Sequence, residues 1–238
     1  MNSIYIPSFN RWESVKTFEY LESGTIVVPE SQFLNYKKRY GKNVVSIPNK
    51  KDGSVAKKRN AILELIKERE PDGWAWICDD DLICIKEKKH QKKLTGDEAL
   101  EAMERVQIMA EDMQAWLGGF DYSPDNLKLK DFQPFSFTKP VFGNALINVL
   151  DGIKYDENFR ITEDVEFWAS KMNKNRFMIR ENRFVCVFNG EDGGKESVIK
   201  YSIEDKKKFA KQINNKWGRQ IMVWNKTRFE FRIPIKGA

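Results

Sequence analysis

Apolar positions in the first third of the chain fall into short, nearly continuous runs separated by stretches of helical spacing. Residues 3–6 (SIYI), 25–28 (TIVV), 43–48 (NVVSIP) and 74–78 (WAWIC) are runs of the first kind, and their β-branched and aromatic content reads as buried strand. Between them, Val15, Phe18 and Leu21 predict a helix, with Asn10 three residues before Glu13 as its capping box. Pro29 and Ser31 open a second helix carrying Phe33, Tyr36 and Tyr40. Ser54 caps a third, in which Val55, Ile62, Leu63 and Ile66 share a face and which Pro71-Asp72-Gly73 ends. Strands alternating with helices predict right-handed crossovers and a largely parallel sheet, whose ligands lie beyond the carboxyl ends of the strands. Pro7-Ser8, Pro29-Glu30, Pro48-Asn49 and the aspartates after WAWIC all fall on that rim.

The second half changes character. A charge run without periodicity, KEKKHQKK at 86–93, is followed by a helix over 97–117 that Thr95 and Glu98 box and Gly118-Gly119 closes. Residues 120–140 are aromatic, polar and punctuated by proline, which predicts a loop with short strands. GNALINVL then predicts a strand, DGIKYDENFR a loop, and TEDVEFWASKMNKN a helix with Glu163, Asp164 and Glu166 in its first turn. RFMIRENRFVCVFNG predicts one or two strands and EDGGK a glycine loop. A helix over 203–217 and a basic, aromatic tail follow. Length adds that 238 residues suit one α/β domain with a full core, 1–238, rather than two small ones.

Charge alters this picture modestly. The 41 basic and 35 acidic residues leave a net +6, which favours polyanionic partners such as nucleic acid, nucleotides or anionic membrane. Cys78, Cys84 and Cys186 form no CxxC pair and two lie in apolar runs, so they predict reduced core thiols in a cytoplasmic protein. No signal-peptide pattern opens the chain, and no apolar run reaches the roughly 18 residues of a membrane span.

The chemistry concentrates at Asp79, Asp80 and Asp81. Adjacent carboxylates repel unless a cation or hydrogen-bond donors compensate them. A lone aspartate at a strand end caps a turn, whereas three in a row suit a hard cation, Mg²⁺ or Mn²⁺, shared with substrate phosphates. An EF-hand is excluded by the absence of its spaced oxygen ligands. For the lysine run two readings stand: a solvated loop, or a rim of the cleft that meets nucleic-acid phosphates through Lys88, Lys89, Lys92 and Lys93. The tail aromatics, Trp217, Trp224, Phe229 and Phe231, are either core or a second such surface.

IYIPSFNR, KKRNAIL, the strand running into DDD, and VFGNALINVLDGIKYDENFRITEDVEFWASKM resemble a GT-A glycosyltransferase over residues 3 to 190. Within that fold the motifs are most similar to the TET-associated glycosyltransferases of bacteriophages. The resemblance implies a GT-A-like α/β domain with a mixed, mostly parallel central sheet flanked by helices. Residues 1–85 would form its nucleotide-sugar half, 86–200 its acceptor half and 201–238 a C-terminal helix and basic tail. It implies a metal-dependent transfer from a nucleotide sugar, first of all a uridine diphosphate sugar, to a hydroxymethylpyrimidine in DNA, in the host cytoplasm for a phage protein. Pro7, Ser8, Arg11, Glu30, Arg59, Asp79 and Asp80 match donor-contacting positions. Asp79 and Asp81 match the metal pair, Asp80 ligating too, and the sequence does not order the three. With only His90, in the lysine run, the chain offers no late histidine ligand, which leaves Asn189, Asp192, or water and phosphate. Asp164, beside Glu163, matches the general base, and Gly143 and Asn144 the acceptor side. A saccharide or protein acceptor, and a non-catalytic nucleic-acid-binding module, are the competing functions.

Overall fold

The computed structural model describes residues 3–122, 132–159, 162–189, 202–218, 221–225 and 228–231. Its first part follows the expected alternation: β1 (Ile4–Pro7), α1 (Lys16–Leu21), β2 (Thr25–Pro29), α2 (Phe33–Tyr40), β3 (Val44–Ile47), α3 (Val55–Arg69) and β4 (Trp74–Cys78). β1 pairs in parallel with β2 and β4, and β2 with β3. Ser54 caps α3 by accepting from Lys57 N, which satisfies one of the orphan donors of the first turn. The capping box expected for α1 is absent. That helix starts at Lys16 with no side-chain cap. Asn10 sits at φ 56° in the opening loop, where it exchanges two hydrogen bonds with Gln32.

The chain continues through β5 (Leu82–Glu87), β6 (Lys92–Lys93), α4 (Gly96–Asp112), β7 (Leu117–Asp121), β8 (Phe135–Ser136) and β9 (Asn144–Asn148). Then come α5 (Glu163–Asn175), β10 (Ile179–Phe188), α6 (Ile203–Trp217) and a hairpin of β11 (Met222–Asn225) and β12 (Arg228–Phe231). Thr95 and Glu98 do form the capping box of α4. Gly118 and Gly119, however, do not close that helix. They lie inside β7, where side chains have no room: a Cβ on Gly118 would stand 3.1 Å from Val106, and one on Gly119 would meet Val141 and come within 2.9 Å of the Asn144 carbonyl. Helix-ending glycines and glycines that admit a close neighbour look alike in sequence.

The ten-stranded sheet has the order β3-β2-β1-β4-β9-β7-β10-β5-β6, with β8 on β10. Seven strands run one way (β1–β4, β6, β7, β10), while β5, β8 and β9 oppose them. The apolar sides of α1, α2 and α4 pack one face of the sheet. Those of α3, α5 and α6 pack the other. The register of β10 shifts between Glu181 and Val185, so residues 179–181 pair with β7 and 184–188 with β5. That irregularity bends the strand and brings its upper end beside the aspartates. All three cysteines are buried and free, and no helix among the described residues is long and apolar enough to cross a membrane.

Candidate active site

Asp79, Asp80 and Asp81 form the turn between β4 and β5, on the rim where β1, β2 and β3 also end. Their backbone is held from three sides. The Thr17 hydroxyl donates to the Asp79 carbonyl and accepts from Leu82 N at 3.0 Å, while Thr17 N reaches the Asp80 carbonyl at 3.4 Å. Asp79 N bonds the Gly143 carbonyl, and Asn189 N bonds the Asp81 carbonyl at 2.8 Å. Thr17 escaped the motif reading. Its signal was a hydroxyl four residues before Leu21, on the buried side of α1. We predict that Thr17→Val, which leaves a carbonyl and an N–H unpaired, costs about 1–3 kcal/mol, lowers Tm and raises the donor KM. Thr17→Ser keeps both values near wild type, and thermal melts with steady-state kinetics decide it.

The three carboxylates diverge. Asp80 accepts from Ser8 Oγ at 2.6 Å and Arg11 at 2.5 Å, so it ties the opening loop to the turn. Tyr36 supports the same loop through Ser8 and Arg11 N, each at 2.8 Å, and buried Lys58 donates to the Ser8 carbonyl at 2.7 Å. Pro7 ends β1, and Glu30 stands exposed at the end of β2. Asp79 takes a guanidinium nitrogen of Arg59 at 2.6 Å. Asp81 has Arg11 at 3.8 Å and lines an open cleft of about 390 Å³ with Asn10, Arg11, Trp12, Asp80 and Asn189. Asp192 lies outside the described residues.

Arg59 occupies a different place from the one its motif suggested. It is buried, and its other terminal nitrogen reaches Glu163 at 3.3 Å, while Tyr155 lies under the guanidinium at 5.5 Å. Its fork therefore joins the aspartate turn to the first turn of α5, rather than standing free for a nucleotide. Asp164, partly exposed, shares with Arg59, Gly143 and Tyr155 the wall of a cavity of about 20 Å³. Gly143 has φ +73°, and a Cβ there would stand 2.6 Å from the Phe188 ring. Only glycine fits this position without displacing that ring.

Two sets of expected acceptor residues stand away from Asp164. The Asn144 side chain is buried and bonds Cys186 Sγ at 3.5 Å, in the layer opposite α5. It therefore points away from Asp164. The lysine run is neither a free loop nor a rim of the aspartates: its first two residues, Lys86 and Glu87, end β5, and the six residues of that strand carry the chain about 20 Å along the sheet, at strand rise, before Lys88. Lys88 is buried against Asp121 at 2.8 Å, and Lys92 pairs with Glu98 at 2.7 Å. Lys89 and Lys93 remain exposed.

The electrostatics of the rim are lopsided. Burial, and then Asp79 and Asp80, push the Asp81 carboxyl up to about 6 against the pull of Arg11. Burial and Asp164 raise Glu163 to about 7, with Arg59 opposing, and burial raises Asp164 as well. Burial works against the charge of Arg59, yet Asp79, Glu163 and their neighbours hold its pKa well above the ordinary value. With Asp52, which pairs with Lys58 at 3.1 Å, six carboxylates thus share two arginines and Lys58. Such an excess suits a divalent cation, and hard oxygen donors suit Mg²⁺ or Mn²⁺. No group of three acid, histidine or cysteine side chains converges as a ready-made cage among the described residues. The fit is to a cation completed by substrate oxygens, the usual habit of magnesium-type sites.

A sheet of this order, with an acid turn at the end of β4 and a second acid pair on the neighbouring helix, has the architecture of the GT-A fold. Solved structures of similar fold agree. Glucosyl-3-phosphoglycerate synthase from Mycobacterium tuberculosis, in complex with Mn²⁺, UDP and glucosyl-3-phosphoglycerate, superposes with TM-score 0.55 at 9% identity over 98% of this chain and 87% of that one. TarS of S. aureus in complex with UDP gives 0.50 at 12% over 92% and 72%. No curated protein matches significantly by sequence. The family model of the TET-associated glycosyltransferases matches residues 2–191, and the chain belongs to that family.

Proposed function

We propose that this glycosyltransferase moves a sugar from a uridine diphosphate sugar to the hydroxymethyl group of a modified pyrimidine in DNA, with Mn²⁺ or Mg²⁺ bound. The observation that carries the reading is the continuous chain Asp79–Arg59–Glu163, which fixes a donor-side carboxylate and an acceptor-side acid pair to one buried guanidinium. UDP in both structural neighbours and the family's own description support the donor and the acceptor respectively.

In this reading the cleft beside Asp81 takes the nucleotide diphosphate, and Arg11 and Trp12 border it. Asp81 and Asp79 would hold the cation, whose chemistry would be to supply positive charge against the negative charge of the departing diphosphate. Asp80 does not ligate it; it keeps Ser8 and Arg11 in place. On the acceptor side, Asp164 removes the proton from the hydroxyl as its oxygen bonds the anomeric carbon and the bond to the diphosphate breaks. Glu163, held by Arg59, positions that first turn. A base in duplex must leave the stack to reach this point.

Hydroxymethylated DNA incubated with the protein, Mn²⁺ and a panel of nucleotide sugars, then digested for mass spectrometry, tests the proposal. A nucleoside heavier by one sugar is the expected product. Donor hydrolysis without any modified nucleoside overturns the DNA acceptor and returns the choice to saccharides or proteins.

A further inference from the structure

With Lys88 buried and the rest of its run at the far end of β5, the polyanion contact expected of a basic chain has to be sought elsewhere. α6 offers it. Lys207, Lys208 and Lys211 are exposed and fall within one arc of about 100° on a helix of 3.6 residues per turn. Glu204 shares that arc, while Asp205 is turned back to Ser202 as part of the helix cap. The opposite arc carries Ala210 and Ile213, which are buried in the core that also holds α3 and α5.

The helix is fastened to the first turn of α5. Lys216, in its last turn, donates to Glu166 at 2.6 Å and to Asp156 at 2.8 Å, and Glu166 stands two residues beyond Asp164 on α5. Gln212 adds a bond to the Asn158 carbonyl at 3.3 Å. From Lys216, Lys211 lies about 8 Å back along the axis and Lys207 about 14 Å.

We propose that the exposed lysine row of α6 receives the phosphate backbone of the nucleic acid whose base is presented to Asp164. The proposal rests on the DNA acceptor argued above. A base drawn out of the stack leaves its flanking phosphates outside the site, about 3.4 Å apart along the strand axis, so a row spanning five helical residues, about 6 Å, faces two or three of them. Exposed lysines on flexible stems contact such phosphates without regard to sequence. The row sets affinity and register on DNA and takes no part in the chemistry.

Lys207→Ala, Lys208→Ala and Lys211→Ala combined in the full chain provide the test. Fluorescence anisotropy with a hydroxymethylated duplex, between about 50 and 200 mM salt, should show the slope of log affinity against log salt reduced by about two to three. The KM for DNA should rise about tenfold or more, with donor hydrolysis and Tm unchanged. The corresponding triple Lys→Arg variant should keep the wild-type slope. An unchanged slope in the alanine variant, while wild type modifies DNA, overturns the surface alone. So does the same loss produced by Lys89→Ala with Lys93→Ala. Wild type that hydrolyses donor yet neither binds nor modifies DNA removes the acceptor and this surface together.

Discussion

Asp81→Asn is expected to reduce sugar transfer, and the Mn²⁺-dependent hydrolysis of donor, by about 10²–10³-fold, the scale of losing one electrostatic partner of a developing charge. It should also erase the rise in Tm that Mn²⁺ with UDP gives wild type. The fold should not suffer. Because burial and two aspartate neighbours raise the Asp81 pKa from 3.8 to about 6, the native state holds this proton more tightly than the unfolded chain does. Its contribution to stability is present below about pH 4 and lost as pH rises through about 6. At pH 7.5 the ionised group is therefore a liability, and the neutral variant should melt higher than wild type without metal, with the difference closing near pH 4. Calorimetry at the two pH values, beside single-turnover hydrolysis, separates the outcomes. A variant that keeps metal-dependent hydrolysis removes Asp81 from the cation site.

The second large effect is expected at Asp164. Removing a positioned base costs about 10²–10⁴-fold in rate, so Asp164→Asn should lose transfer to that extent while binding UDP and Mn²⁺ as wild type does. The pH profile gives an independent sign. A base acts when deprotonated, and burial raises the pKa values of both Glu163 and Asp164, Glu163 to about 7. Transfer by wild type should therefore climb with pH through that region and level off above it, and the variant's residual rate should lack this limb. Product stereochemistry is a further check: retention of configuration would strip Asp164 of the role.

Much of the first third of the chain was legible because its elements are local. Four short apolar runs and a serine cap specify β1 to β4 and α3, and strand direction then puts Pro7, Glu30 and the aspartates on one rim. What the sequence hid are relations across the sheet. Nothing in KKRNAIL says that the Arg59 fork is consumed by Asp79 and Glu163, because Glu163 lies 104 residues away. Nothing in GNALINVL says which way Asn144 points, since a one-residue change of register would turn it to the other face. The lysines of 88–93 read as a cleft rim because nothing in LICIKE tells how far that segment carries the chain from the aspartates. Gly118-Gly119 looked like a helix end because both meanings of a glycine pair share one spelling.

β4 and β5 are joined by only three residues, yet β9, β7 and β10 lie between them in the sheet order. The elements that flank the aspartate turn in the finished sheet are thus made only after the turn itself has emerged. Its final shape waits for Gly143 and Asn189, whose backbone groups complete it. Contacts of such separation form late and slowly, so a growing chain passes through a long interval in which β1 to β4 exist and the finished aspartate turn does not. A truncated product ending before residue 189 should be inert toward donor sugar even where its first four strands are folded.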